Sequence, residues 1–182
     1  MSKTVFNTER LLAGSAILIS LLTLVTLIYQ ISMERRQSRL SVRPRVEFTD
    51  YESLEGSSIR RSLVIENRGL GPAIFESGYI VYEGSNYKLD FEAFFWEEQL
   101  LDSLVSLNKN TSLSQGSSIL PGKSITLYEV TFPLSHLNQV LKNRRLIDEE
   151  GEPKFQVIFT YSSLYEERWE QRSDVNGHPV RL

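Results

Sequence analysis

A chain of 182 residues, 41% hydrophobic and 24% charged, suits one folded domain plus an appendage and excludes wholesale disorder. It contains no cysteine, which excludes disulfides, thiolate metal sites and a cysteine nucleophile. The net charge of −3 conceals an asymmetry: residues 1–45 carry seven Lys/Arg against two acids, leaving −8 on the remainder, and so acidic a globular part argues against nucleic acid as its ligand.

Residues 1–10 form a short N-terminal tail. From Leu11 to Ile31 no residue is charged. At about 1.5 Å per residue this run makes a helix of about 31 Å, enough to cross a bilayer core, so a transmembrane helix is predicted over 11–32. A cleaved signal peptide would have a shorter apolar region and a small-residue cleavage site; this run ends in Tyr29, Gln30, Ile31, Ser32 and Met33, which is a poor one. Ala16 and Ser20 make a small-xxx-small pair, with Thr23 and Thr26 near Ser20 on the helix surface, and Tyr29 suits the interfacial belt.

Residues 33–45 read as a basic juxtamembrane linker. Its Arg35, Arg36, Arg39, Arg43 and Arg45 outnumber Lys3 and Arg10 on the other side. The positive-inside bias predicts a single-pass protein of the inner (plasma) membrane with its C-terminal domain in the cytoplasm; a periplasmic or extracellular domain is the alternative. These arginines stand where lipid headgroups are within reach, although fixing the topology already accounts for them.

The domain expected over 46–182 reads as strands. "RVEFTDY" places Val46 and Phe48 on one face, and "SIRRSLVIEN" turns Ile59, Leu63 and Ile65 inward. "GYIVYEG" and "KSITLYEVTF" are β-branched and aromatic runs, the latter following the turn signal Pro121-Gly122. "KFQVIFTYSS" sets Phe155, Val157, Phe159 and Tyr161 on one face, with "ERWEQRS" as its hairpin partner. Short strands separated by Gly, Pro and Ser clusters indicate a sandwich or barrel rather than a parallel sheet. Two helices are expected to interrupt them. One is capped by Asp90 and runs through "FEAFFWEEQLLDSLVSLN"; the other is capped by Ser135 and runs through "HLNQVLKNRRL". Residues 103–118 read partly as a polar loop, and "NTS" at Asn110 is a glycosylation triplet of the kind that arises by chance.

The stretch "NRGLGPA", Asn67 to Ala73, resembles a phosphate loop only superficially. The third glycine of a dinucleotide fingerprint is replaced by Ile74, Pro72 deletes an N–H, and no helix follows. A structural corner is the expectation: Asn67 bonds local backbone, Gly69 takes positive φ, Gly71 relieves crowding before Pro72, and Pro121 and Gly122 make a second turn.

The residues around that corner carry a resemblance. "LVIENRGLGPAIFESGYIVYEG", then "ILPGKSITLYEVTF" and "KFQVIFTYSS", resemble the bacterial immunoglobulin-like domains of the CARDB type over roughly residues 42–172. Asn67, Gly69 and Ala73 match one element of their pattern, and Leu120, Pro121, Gly122 and Ser124 match the other. The resemblance implies a mainly β fold, an immunoglobulin-like antiparallel β-sandwich, with two helical insertions in this chain and one N-terminal transmembrane helix before it. It also implies adhesion or protein contacts, and it carries over no catalytic residue.

The residues themselves give no other chemistry. His136 and His178 have no companion at ligand spacing, so neither a metal nor a cofactor is expected, and a serine triad lacks its Gly-x-Ser-x-Gly elbow. Glu97-Glu98, Asp148-Glu149-Glu150 and Glu166-Glu167 read as solvated faces. The aromatic clump Phe91, Phe94, Phe95 and Trp96 is the candidate partner-binding feature, because the four cannot share one narrow helical stripe. The expectation is a non-enzymatic, single-span scaffold or accessory subunit of a bacterial inner-membrane assembly. Its partners would be the bilayer and another membrane protein or complex. An exported envelope-binding module and a small membrane-bound defence or immunity protein are the alternatives.

Overall fold

The computed structural model describes residues 8–100, 105–136, 154–174 and 178–182. The chain divides between Ser41 and Val42 into two units. The first contains helix α1, Thr8–Ser41, which runs without interruption from the apolar stretch through Arg35, Arg36 and Arg39 and stops short of Pro44. By length and composition it can cross a membrane, and none of its apolar window is buried. Three of its hydroxyls bond within the helix: Ser15 donates to the Leu12 carbonyl, Thr23 to Ile19 and Thr26 to Leu22, at 2.9, 2.8 and 2.8 Å. Hydrocarbon surroundings require such internal bonding.

The second unit is mainly β, two antiparallel sheets in a sandwich-like arrangement. Sheet one has the order β1 (Val46–Glu55), β2 (Ser58–Asn67), β7 (Ser124–Pro133), β5 (Ser106–Asn110). Sheet two has the order β10 (Val180–Arg181), β9 (Arg168–Arg172), β8 (Gln156–Ser162), β3 (Ala73–Tyr82), β4 (Ser85–Lys88), with β6 (Ser118–Ile119) paired to β3. The expected inward positions Ile59, Leu63, Ile65, Phe155, Val157, Phe159 and Tyr161 are all buried. β9 pairs antiparallel with β8, the partner expected for it. Across the gap, Phe48 of β1 meets Phe159 of β8 edge-on at 6.4 Å.

Two expected elements change. The helix opened by Asp90 ends at Glu97, forming a short α2 (Phe91–Glu97), and Ser106–Asn110, expected as helix end and loop, is an edge strand. The stop is a Schellman turn: Leu100 N–H bonds the Phe95 carbonyl at 2.8 Å and Gln99 N–H bonds that of Trp96 at 3.2 Å, with Gln99 at φ 53. Leu100 is then buried beside Phe95. The helix expected beyond Ser135 lies outside the described residues; Leu134–His136 forms a 3-10 turn.

The corner at 67–73 is built by the segment that leads into the domain. Arg68 N–H bonds the Arg45 carbonyl at 2.7 Å, Leu70 and Gly71 N–H both reach that of Arg43 at 2.9 and 3.4 Å, and Gly69 N–H goes to Asn67 Oδ1 at 3.0 Å. Four successive N–H groups are thus occupied internally, and none is left to cradle a phosphate. Asn67 is fully buried and makes four bonds: Oδ1 accepts from Arg45 N–H and Gly69 N–H, while Nδ2 donates to the carbonyls of Gly71 and Ile119, both at 2.8 Å. Gly69 is not among the residues at positive φ, contrary to expectation. It is glycine because a Cβ there would lie 2.3 Å from Arg45 N, and a Cβ on Gly71 would lie 1.8 Å from the Val42 carbonyl oxygen, so the crowding comes from Val42 and not from Pro72. Leu120-Pro121-Gly122-Lys123 is a type II turn, with Gly122 at φ 68 and its N–H on the Asn67 carbonyl at 2.8 Å.

Candidate interaction surface

The aromatic helix α2 closes the end of the sandwich opposite that corner. Asp90 caps it in an extended conformation, accepting from Ala93 N–H at 3.3 Å, and takes a second bond from Asn110 Nδ2 at 3.1 Å that ties the helix start to β5. At the other end the Tyr87 hydroxyl donates to Glu98. Sharing that proton with a carboxylate, aided by partial desolvation, raises the tyrosine's pKa.

Phe91, Phe94 and Phe95 sit at i, i+3 and i+4 and point into the core, all buried. Phe91 and Phe95 pack on Tyr128 at 4.6 and 5.4 Å, Phe94 on Tyr82 at 5.6 Å, and all three surround Phe155. Burying three phenylalanines stabilises the fold by several kcal/mol, so these three serve as a core plug rather than a contact face. Trp96 alone of the four is presented to solvent, 67% exposed, with Glu92 and Glu97 exposed beside it. The sequence groups all four as one clump; the structure separates Trp96 from the other three.

The five linker arginines divide between the units. Arg35, Arg36 and Arg39 lie on the exposed last turns of α1. Arg43 stacks over the Trp169 indole at 5.7 Å, and Arg45 pairs with Glu47 at 2.6 Å. Arg43 thus ties the segment entering β1 to β9, while the Arg45–Glu47 pair is local to β1.

Other ionisable groups are mostly held by partners on the sheet surfaces: Arg68 with Glu47 and Glu66, Arg168 with Glu76, Arg181 with Glu167. One pair is more enclosed. Arg61 Nε bonds Asp50 Oδ2 at 2.9 Å, and although burial works against its charge, the carboxylate outweighs that and raises its pKa. His178 is exposed, and among the described residues no three His, Cys, Asp or Glu converge as metal ligands. Asn110 is half-buried with its amide engaged by Asp90. No protein-family model matches the chain, and no curated protein sequence is detectably similar to it.

Proposed function

We propose that the chain is a non-enzymatic, single-span membrane protein whose immunoglobulin-like domain, of the CARDB type, recognises another protein. The strand order supports the fold assignment: β1-β2-β7-β5 follows the A-B-E-D order of an immunoglobulin sheet, and β9-β8-β3-β4 follows G-F-C-C′. In that scheme α2 is an insertion between C′ and D.

The observation that carries the functional reading is Trp96. A helix locked in the core by three phenylalanines, and bonded at both ends, holds one large indole out in water. Anchors of this kind, rigid and aromatic, dominate the energetics of protein interfaces. The reading extends to a scaffold or accessory subunit of a bacterial inner-membrane assembly, with the domain in the cytoplasm as the arginine bias favours.

Affinity capture of the full-length protein in detergent tests it. A defined partner should be recovered by the wild type and lost with Trp96→Ala, whereas a monomer that captures nothing overturns the reading. A C-terminal reporter fusion active only in the periplasm would move the domain to the other side and favour the envelope-binding alternative.

A further inference from the structure

Among the described residues β1 and β5 end one sheet and β10 and β4 the other, and they are not alike. β5 has five residues and a register shift between Leu107 and Lys109, β4 has four and runs into α2, and β10 has two. β1 has ten residues paired with β2 from Val46↔Asn67 to Glu55↔Ser58 without a bulge. Shortness, bulges and charged side chains are the usual protections of an edge; β1 has neither of the first two and relies on its acids.

The alternation of the ladder shows which groups of β1 are unused. Arg68 N–H bonds the Arg45 carbonyl, so Arg45 and every second residue after it bond toward β2. Val46 N–H points the other way, to the Tyr161 hydroxyl at 3.2 Å. Phe48, Asp50, Glu52 and Leu54 therefore turn their N–H and C=O outward, and among the described residues no strand pairs with them. From Asp50 to Glu55 every residue is exposed, including Tyr51 at 52% and Leu54 at 64%.

Charge selects the occupant. Asp50, Glu52 and Leu54 share one face, and Arg61 stands between the two acids, bonded to Asp50 and directly opposite Glu52 in register. One cation against two carboxylates leaves a negative surplus along the edge. A second copy is a poor partner, because antiparallel self-pairing sets Glu52 against Glu52, Asp50 against Glu52 or Asp50 against Asp50, according to register.

We propose that the outward edge of β1, from Phe48 to Leu54, accepts an extended strand of a partner protein by β-augmentation, with a basic side chain of that strand against Glu52 and Asp50. This rests on the recognition reading and names the face and chemistry of contact. Main-chain bonds would supply affinity, and the acid pair would choose the sequence.

The test uses full-length protein in detergent and an end-blocked peptide as long as β1 that alternates lysine and valine. Amide hydrogen exchange at Phe48, Asp50, Glu52 and Leu54 should slow about tenfold or more on binding. The same peptide N-methylated at alternate residues, which keeps the charge and loses the ladder, should give no protection. Glu52→Lys should weaken binding about tenfold or more through like-charge repulsion. Glu52→Pro should abolish it while leaving the melting temperature near wild type, since the lost N–H points away from β2. If that variant does not fold, Glu52→Lys carries the test. Equal binding by both peptides, protection elsewhere, or no binding overturns the proposal. If a captured partner survives these variants and depends only on Trp96, the edge assignment fails and the recognition reading stands.

Discussion

Gly71 and Val42 touch so closely that a Cβ on the glycine would stand 1.8 Å from the valine's carbonyl oxygen. No rotamer relieves a clash with backbone, so Gly71→Ala must displace the segment leading into the domain, breaking the bonds from Arg43 and Arg45 to the corner. The expected loss is about 3 kcal/mol, read as a lower thermal midpoint of the full-length protein in detergent. An unchanged midpoint would mean that the contact is not as close as described.

Asn67→Asp is expected to be similarly damaging, about 3 kcal/mol, although nearly isosteric. A carboxylate can still accept from Arg45 and Gly69 but has nothing to donate to the Gly71 and Ile119 carbonyls. Denaturant unfolding checks it, and a cost below that of Asn67→Ala would show that the donated bonds matter little.

The αL residue that ends α2 gives a prediction of opposite sign. Gln99 holds φ 53, which a side chain resists and glycine does not. Gln99→Gly should stabilise the protein by about 0.5–1 kcal/mol, and a decrease would show that the glutamine side chain compensates for the strain.

Phe95→Ala and Trp96→Ala, adjacent in sequence, should separate stability from recognition. The first opens a cavity against Tyr128 and Phe155 and should cost about 3–5 kcal/mol; the second should change stability by less than about 0.5 kcal/mol. Comparable destabilisation by both would place the indole in the core.

Alkaline stability should respond to Tyr161. Burial pushes its pKa up to about 12, against the Val46 N–H and the charges of Arg43 and Arg45, which pull it down. The unfolded chain gives up the same proton near 10.0, so the stabilisation is full below that pH and is lost as pH rises toward about 12. The expected loss is at most about 3 kcal/mol. Tyr161→Phe should flatten that part of the profile; Tyr128, also raised by burial, should leave a residual slope. A profile identical to wild type would count against the assignment.

The strands were legible wherever burial alternated. β2 buries Ile59, Leu63, Ile65 and Asn67 on one face, a pattern written directly in its side chains, whereas β8 adds Ile158 and Ser162 to the buried Val157, Phe159 and Tyr161 and was legible from its β-branched and aromatic run. β5 was not legible: "SLNKN" is an exposed edge with only Leu107 packed on the core. The end of α2 was hidden because a glutamine takes a place normally signalled by glycine. The roles of Gly69 and Gly71 depended on backbone many residues away at Val42–Arg45, a contact that no local pattern encodes. At the candidate surface, the sequence showed that the four aromatics could not share one stripe but not which would face out, and the free side of β1 emerged only once its neighbours were known.

β1 also has a mechanical meaning, because it is the first strand of the chain after α1, entered through Val42 to Arg45. A pull arriving along the chain would meet the bonds of Arg43 and Arg45 to the corner first and the rungs of β1 next. Force applied that way strains the rungs between β1 and its neighbours together, in shear, instead of opening them one at a time. A tethered head built so would hold under load while its interior stayed undisturbed.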